Sequence, residues 1–212
     1  MGAYPSTVGV ILAGGLARRL GGVDKPLLRL GGGTVLGHLI ERLRPQVSDL
    51  VINANGDPLR FAAFTLPVVA DSVPGRPGPL AGVLAGLEWT TENRPDAEWT
   101  LTVTGDAPFV PRDLVSRLHA ERGEAVLATA ATGGQIHHAI GLWPVQMARS
   151  LREALVLKGL RQVGSFAGLF PRQTVSWEDH PVDPFFNINT SQDLHRAERI
   201  YSVSVAVPAG QG

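Results

Sequence analysis

The segment Thr7–Lys25, TVGVILAGGLARRLGGVDK, joins a short apolar run to a glycine-rich stretch. Thr7–Leu12 is rich in β-branched residues and stops at Ala13-Gly14-Gly15, a pattern typical of a buried strand. The paired glycines leave backbone N–H groups open to a polyanion. Arg19 and Lys25 add positive charge to the same stretch, and each can bind phosphate oxygens. We therefore predict a strand followed by a phosphate-binding loop.

Segments with strand and helix patterns alternate along the rest of the chain. Helical spacing of apolar residues is found at Thr34–Leu43, Ala81–Thr91, Pro111–Glu121, Met147–Leu157 and Ser191–Ile200. Strands are predicted at Leu50–Asn53, Val68–Ala70, Trp99–Thr104, Ala125–Ala131 and Ile136–Trp143. This alternation predicts a single-domain, three-layer α/β sandwich with a mainly parallel, twisted sheet and helices on both faces, in a Rossmann-like arrangement. We expect the domain to span residues 1–200 and residues 201–212 to form a flexible tail.

Composition excludes several classes of protein. The 212 residues contain 19 Lys+Arg and 19 Asp+Glu, so the net charge is zero and no basic surface for nucleic acid or anionic lipid is expected. The lack of cysteine excludes disulfides, thiolate metal sites and cysteine nucleophiles. No apolar run reaches the length of a membrane-spanning helix, and no secretory signal is recognised at the N-terminus. A cytoplasmic location is the expectation.

The carboxyl ends of the predicted strands are the expected ligand site, because ligands of parallel sheets bind there. Asp106 follows the strand Trp99–Thr104 and is a candidate ligand for a divalent cation that also binds phosphate oxygens; the alternative is a turn-capping aspartate. Asn53 and Asp71 end two other strands, and their amide and carboxylate groups match the polar edge of guanine. A simple turn role for Asn53 stays open. The glycine loop lacks the Gly-Lys-Ser/Thr ending of a P-loop and the full dinucleotide fingerprint.

The segment LAGGLARRLGGVDK at Leu12–Lys25 resembles the signature of the molybdenum cofactor guanylyltransferases, within the nucleotidyltransferase superfamily. Further segments match that family in order along the chain: Val51–Asn55, Ala70–Ser72, Pro77–Gly82, Gly105–Pro111 and Phe185–Thr190. One departure is Thr104-Gly105-Asp106, where relatives usually carry Pro-Cys-Asp. The acidic residue is retained, so the resemblance implies that the chemistry is retained.

The resemblance implies transfer of GMP from GTP to molybdopterin, with Mg²⁺ as the cofactor. The implied GTP-binding residues are Leu12, Ala13, Gly14, Gly15, Lys25, Asn53, Asp71 and Asp106. Lys25, Arg19 and Asp106 are the implied catalytic residues, with the metal on Asp106. The resemblance implies that Asn187 and Asn189 line the pterin side of the site, where Gly22 is also assigned. Arg161 is a candidate for binding the pterin phosphate, and the equal alternative is a solvated arginine at the end of a helix. The resemblance also points to molybdoenzymes or their insertion chaperones as protein partners.

Two alternatives remain open from the sequence. One is the same fold acting as a cytidylyltransferase or a sugar-phosphate nucleotidyltransferase. The other is a nucleotide-binding module without catalysis, against which the presence of both Lys25 and Asp106 argues. His137 and His138 have no assigned role, and two adjacent residues of a strand point to opposite faces, which disfavours a shared metal.

Overall fold

The computed structural model describes residues 4–14, 16–17, 23–75 and 78–206. Its strands are β1 (Thr7–Leu12), β2 (Leu16–Ala17), β3 (Val23–Asp24), β4 (Arg29–Leu30), β5 (Gly33–Thr34), β6 (Asp49–Asn53), β7 (Val68–Val69), β8 (Trp99–Thr104), β9 (Leu127–Thr132), β10 (Gln135–Pro144) and β11 (Arg172–Trp177). Its α-helices are α1 (Val35–Leu43), α2 (Pro79–Asn93), α3 (Leu114–Glu121), α4 (Met147–Val156), α5 (Val163–Ala167) and α6 (Ser191–Ala206). Short 3₁₀ segments lie at Lys25–Leu27, Arg44–Gln46 and Pro58–Phe64.

The central sheet has seven strands in the order β11-β9-β10-β8-β1-β6-β7 within the described residues. Strand β10 runs antiparallel to β8 and β9, and the other neighbouring pairs are parallel. The sheet is therefore mainly parallel, as the sequence predicts. The register pairs Leu12 of β1 with Asn53 of β6 and with Thr104 of β8. Three parallel strands thus end at the same level, which defines the edge where a ligand site is expected.

Helices cover both faces of this sheet, which confirms the three-layer prediction. On one face, Ile11 of β1 and Val103 of β8 belong to an apolar cluster with residues of α1 and α3. On the other face, Val10 of β1 packs against α2, and α2 and α4 share a second apolar cluster. Because successive side chains of a strand point to opposite faces, Val10 and Ile11 contribute to different layers.

Two glycines of α2 allow this helix to lie close to the sheet. A Cβ atom at Gly86 would lie 2.7 Å from Cγ2 of Val10, closer than real side chains approach. A Cβ atom at Gly82 would lie 2.9 Å from Cδ2 of Leu12 and would also overlap Oδ1 of Asn53. The glycine spacing of one helical turn therefore sets the distance between α2 and the ends of β1 and β6.

The structure departs from the sequence-based prediction at several elements. Strand β11 and helix α5 are not predicted: β11 is an edge strand in which Arg172 and Gln173 are exposed, so its apolar pattern is weak. Helix α3 begins at Leu114 instead of Pro111, because Asp113 has φ −112° and ψ 11°, outside the helical region.

The C-terminal boundary also differs. Helix α6 continues past residue 200 to Ala206, so residues 201–206 are helical where the sequence favoured a flexible tail. The Tyr201 ring lies 4.6 Å from the ring of His38 and packs over Gly31, which anchors this part of the helix to the domain. Residues 207–212 lie outside the described residues. Among the helices described, none has both the length and the apolar character needed to cross a membrane.

Candidate nucleotide site

A cavity of about 260 Å³ lies at the carboxyl ends of β1, β6 and β8. It is lined by Leu12, Ala13, Gly14, Lys25, Pro26, Asn53, Asn55, Asp71, Gly78, Pro79, Thr104 and Asp106. Every described residue that the sequence assigned to GTP binding is in this lining. Gly15, Arg19 and Gly22 lie outside the described residues. The lining also includes Gly78 and Pro79 of the segment Pro77–Gly82 that matches the family, and the sequence-based assignment missed Pro26, Asn55 and Thr104.

One end of the cavity contains a hydrogen-bonded group of two amides and a carboxylate. Nδ2 of Asn53 donates to Oδ1 of Asp71 at 3.0 Å, and Nδ2 of Asn55 donates to Oδ2 of Asp71 at 2.8 Å. The backbone N–H of Asp71 donates in return to Oδ1 of Asn55 at 2.9 Å. Asn53 is buried, and its amide is further held by the carbonyl of Val69. The Asp71 carboxylate is thereby fixed in orientation while it borders the cavity.

The other end is formed by the glycine loop and the segment that follows β8. Strands β2 and β3 close the loop as an antiparallel pair, with Leu16 opposite Asp24. The backbone N–H of Gly105 donates to the carbonyl of Leu12 at 3.0 Å. A Cβ atom at Gly105 would lie 3.2 Å from that carbonyl oxygen and 3.2 Å from Pro26, so glycine allows the chain after β8 to approach the loop closely.

Lys25 connects this end of the cavity to the carboxylate predicted to hold a metal. Its Nζ lies 3.3 Å from Oδ2 of Asp106 and 2.5 Å from Oδ1 of Asn189. The Lys25 and Asp106 side chains are 18% and 20% exposed, so both are reachable from the cavity. A cation and an anion thus stand side by side where the predicted phosphate loop meets β8.

The donor set at Asp106 fits a hard divalent cation held jointly by protein and phosphate. Asp106 supplies one carboxylate at the cavity, and the described ranges hold no group of three or more His, Cys, Asp or Glu residues able to bind a metal alone. Mg²⁺ commonly takes one or two protein carboxylates and completes its shell with substrate phosphates and water. The residues present therefore suit a cation that arrives with a nucleotide.

The segment 187–190 does not line the cavity itself but contacts three residues that do, on the side of Asp106. The backbone N–H of Ile188 donates to the Asp106 carbonyl at 3.0 Å, and Oγ1 of Thr104 donates to Oδ1 of Asn187 at 3.2 Å. Ile188 is fully buried, whereas Asn187 and Asn189 on either side contact Thr104 and Lys25. The two asparagines therefore border the same edge of the site, as the extended spacing predicts.

Helix α6 holds this segment in place through its N-terminal cap. The Asp193 carboxylate accepts hydrogen bonds from the backbone N–H groups of Asn189 and Thr190, at 3.0 and 2.8 Å, and from Oγ1 of Thr190. The backbone N–H of Asp193 donates to Oγ1 of Thr190, which completes a reciprocal cap. Burial raises the pKa of Asp193, but these hydrogen bonds outweigh burial and hold the pKa below its usual value.

Arg161 and the two adjacent histidines of β10 do not line the cavity. Arg161 is exposed in the loop between α4 and α5 and does not line the cavity. His137 contacts Oγ1 of Thr132 at 2.8 Å, and that hydroxyl donates to Oδ1 of Asp183 at 3.1 Å. Burial lowers the pKa of His137, which favours the neutral imidazole. His138 packs instead against Gly164 of α5, so the two histidines do face different surroundings.

Comparison with solved structures supports the fold. The chain is similar to the molybdopterin-guanine dinucleotide biosynthesis protein A of Archaeoglobus fulgidus, with a TM-score of 0.72, 22% sequence identity and coverage of 92% of this chain and 99% of that protein. It is similarly close to the 4-diphosphocytidyl-2C-methyl-D-erythritol synthase of Anaerococcus prevotii, with a TM-score of 0.71, 13% identity and coverage of 93% and 96%. At these identities the likeness shows a shared fold.

Sequence comparison is more specific. Residues 9–170 match the family described as the MobA-like NTP transferase domain. The chain is 54% identical to the molybdenum cofactor guanylyltransferase of Nitrobacter hamburgensis over 198 residues, which cover 92% of this chain and 95% of that relative. Together with the cavity at the carboxyl ends of β1, β6 and β8, these matches show that the chain belongs to the molybdenum cofactor guanylyltransferase family of nucleotidyltransferases.

Proposed function

We propose that this protein transfers GMP from GTP to molybdopterin and releases pyrophosphate. The observation that carries the proposal is the meeting of Lys25 and Asp106 at one wall of a cavity whose far end holds Asn53 and Asp71, with Asn189 in contact with Lys25 behind that wall. A nucleotide placed along this cavity has its base beside Asp71 and its phosphates beside Lys25. The second substrate then approaches from the side of Asn187 and Asn189.

The base-binding end favours guanine. Each oxygen of the Asp71 carboxylate accepts one amide hydrogen, from Asn53 or Asn55, and retains further acceptor capacity. Guanine presents adjacent N1–H and N2–H donors, which a fixed carboxylate accepts as a pair. Cytosine presents no such pair on its pairing edge, so CTP would leave a partly buried carboxylate without the matching donors.

The reaction is an in-line displacement at phosphorus. An oxygen of the molybdopterin phosphate attacks the α-phosphorus of GTP, a new P–O bond forms, and the bond from the α-phosphorus to the bridging oxygen of pyrophosphate breaks. The attacking phosphate is already ionised at neutral pH, so the protein needs no general base. Lys25 stabilises negative charge on the phosphates, and the backbone of Leu12–Gly14 positions them.

Asp106 is the residue proposed to hold the divalent cation, which we propose to be Mg²⁺. Such an ion would supply charge neutralisation at the phosphate oxygens of the nucleotide. The ammonium of Lys25 next to Asp106 balances the carboxylate charge before substrate arrives. When GTP is bound, Lys25 is free to turn from Asp106 to a phosphate oxygen, because its four-carbon side chain is flexible.

A nucleotide panel tests the proposal. Purified protein is incubated with molybdopterin, Mg²⁺ and each of GTP, ATP, CTP and ITP, and the dinucleotide product and pyrophosphate are quantified. We expect product with GTP to exceed product with CTP by at least about 100-fold. Faster turnover with CTP would support the cytidylyltransferase alternative. Nucleotide binding without pyrophosphate release would support a non-catalytic module.

A further inference from the structure

Arg60 joins two walls of the cavity without lining it. It lies in the 3₁₀ segment Pro58–Phe64, and its Nη2 donates to the carbonyl oxygen of Asn55 at 2.8 Å. Its Nε lies 3.4 Å from Oδ2 of Asp24, the residue that directly precedes Lys25. One guanidinium therefore contacts both the Asn55 turn at the base-binding end and strand β3 at the phosphate-binding end.

The local sequence places Arg60 there. Gly56 has a φ of +87°, which suits glycine and reverses the chain after Asn55. Asp57 then caps the 3₁₀ segment, since its Oδ1 accepts the backbone N–H of Leu59 at 2.9 Å. The guanidinium carbon lies 4.8 Å from the ring centre of the buried Phe61, which supports its side chain on one face.

Asp24 presents an electrostatic problem for a phosphate-binding loop. Its side chain is only 17% exposed, it makes no capping hydrogen bond to the segment Lys25–Leu27 that follows, and it carries a negative charge at the loop. The neighbouring Lys25 does not neutralise it, because that ammonium contacts Asp106 and Asn189. An unneutralised carboxylate at this position would repel a triphosphate.

Arg60 supplies the missing positive charge. Its Nε is buried and makes no hydrogen bond among the described residues, and the Asp24 carboxylate lies within ion-pair distance of it at 3.4 Å. Because Arg60 compensates the negative charge of Asp24, that charge does not offset the attraction between Lys25 and the phosphates. The side chains of Arg60 and Asp24 are 24% and 17% exposed, so solvent screens the pair only in part.

We propose that Arg60 is a positioning residue of the nucleotide site, which neutralises Asp24 so that the glycine loop accepts a polyphosphate. This inference rests on the proposed use of GTP, and it concerns a residue that does not touch the substrate. The contribution of Arg60 to nucleotide affinity is then expected to grow with the number of phosphates on the ligand. Arg60 should also become dispensable for GTP binding when residue 24 carries no charge.

The test measures dissociation constants of GTP, GDP and GMP, with Mg²⁺ present, for the full-length wild type and for Arg60→Gln, Asp24→Asn and the double variant. Arg60→Gln is expected to weaken GTP binding about tenfold and GMP binding less than about threefold. The double variant is expected to bind GTP within about threefold of wild type. Asp24→Asn alone is expected to bind GTP at least as tightly as wild type.

The matched control is Arg112→Gln, which removes an exposed ion pair with Glu41, a contact of 2.9 Å on residues that do not line the cavity. This variant is expected to bind all three nucleotides as wild type does. Three results would each overturn the inference. Arg60→Gln could weaken GTP binding and GMP binding equally, it could weaken neither, or the double variant could bind GTP as weakly as Arg60→Gln does. If Arg60→Gln does not fold, tighter or equal binding by Asp24→Asn supports the inference and weaker binding refutes it. Failure of the wild type to bind GTP would instead refute the proposed function.

Discussion

Nζ of Lys25 lies 3.3 Å from Oδ2 of Asp106, although 81 residues separate the two in the chain. The contact joins the end of the glycine loop to the end of β8 at the wall of the cavity. An ion pair that is still reached by solvent contributes little to stability. We propose that its importance lies in placing the lysine expected to bind phosphate next to the carboxylate expected to hold the metal before any substrate is present.

The first prediction concerns this pair. Asp106→Asn and Lys25→Met are each expected to lower the rate of dinucleotide formation by about 100-fold or more, because Asp106 is proposed to hold the divalent cation and Lys25 supplies positive charge to the phosphates. The melting temperature should change little, since both side chains are partly exposed. Lys158→Met, which removes the other lysine of the chain at an exposed position, is the matched control and should retain wild-type turnover. Wild-type rates in either site variant would contradict the assignment.

A second prediction concerns selectivity for the base. Asp71→Asn keeps the shape of the side chain but replaces one acceptor oxygen with a donor amide. We expect the ratio of kcat/KM for GTP to that for ITP, which lacks the 2-amino group, to fall by about tenfold. Asp57→Asn is a suitable control, because asparagine caps a helix as well as aspartate does. An unchanged GTP/ITP ratio in Asp71→Asn would remove this carboxylate from base recognition.

The cap of α6 gives a third prediction. Asp193→Ala removes the acceptor that holds the backbone of Asn189 and Thr190, so the asparagine next to Lys25 loses its support. The KM for molybdopterin is expected to rise about tenfold and the unfolding free energy to fall by about 1 kcal/mol. The dissociation constant of GTP should change by less than about threefold. Ser191→Ala, on the exposed surface of the same helix turn, is the control and should change neither the KM for molybdopterin nor the unfolding free energy. An unchanged KM for molybdopterin in Asp193→Ala would show that the cap does not position the segment.

The fourth prediction concerns pH and stability. Burial, reinforced by the charge of Arg122, lowers the pKa of His119 to about 4. The His119 ring stacks on Tyr4 and contacts Trp99 edge to face, and its Nε2 lies 2.9 Å from Oγ1 of Thr7. Because the unfolded chain binds a proton at this site more readily than the folded chain, the stability contribution is present above pH 6.5 and is lost as the pH falls from 6.5 toward 4.

Melting temperatures at pH 7 and pH 5 test this statement. The decrease between the two is expected to be smaller by a few degrees in His119→Gln than in wild type, since glutamine does not titrate in this range. His195→Gln, at an exposed position of α6, should show the wild-type decrease. An identical pH dependence in wild type and His119→Gln would disprove the assigned role of the buried imidazole.

The elements that the sequence predicts best are those with a strong apolar pattern and a clear end. β1 and β8 are predicted at their observed bounds because β1 is an apolar run, β8 alternates large apolar residues with threonine, and each is followed closely by glycine. Edge strand β11 escapes prediction because only Val175 and Trp177 are buried. The antiparallel direction of β10 depends on its pairing with β8 and β9, which no local pattern encodes.

Some residues of the candidate site are likewise predicted from the sequence, and others are not. Lys25 is predicted from the glycine-rich loop, and Asn53, Asp71 and Asp106 are predicted because they end or follow strands of a parallel sheet. The structure brings all four to one cavity. Asn55 is missed, because an asparagine before glycine is typical of a turn and its partner Asp71 lies 16 residues further along the chain. Arg161, a candidate for the pterin phosphate, lies in an exposed loop and does not line this cavity, so its proposed contact with the pterin stays a prediction.

The contact between Lys25 and Asn189 spans 164 residues. Because synthesis proceeds from the N-terminus, the nascent chain exposes its glycine loop long before the residue that completes the wall beside it. A growing polypeptide can therefore begin to assemble β1, β6 and β8 while the segment 187–190 is still absent. We therefore expect the proposed group transfer to become possible only after the residues of α6 have been synthesised and this helix has docked.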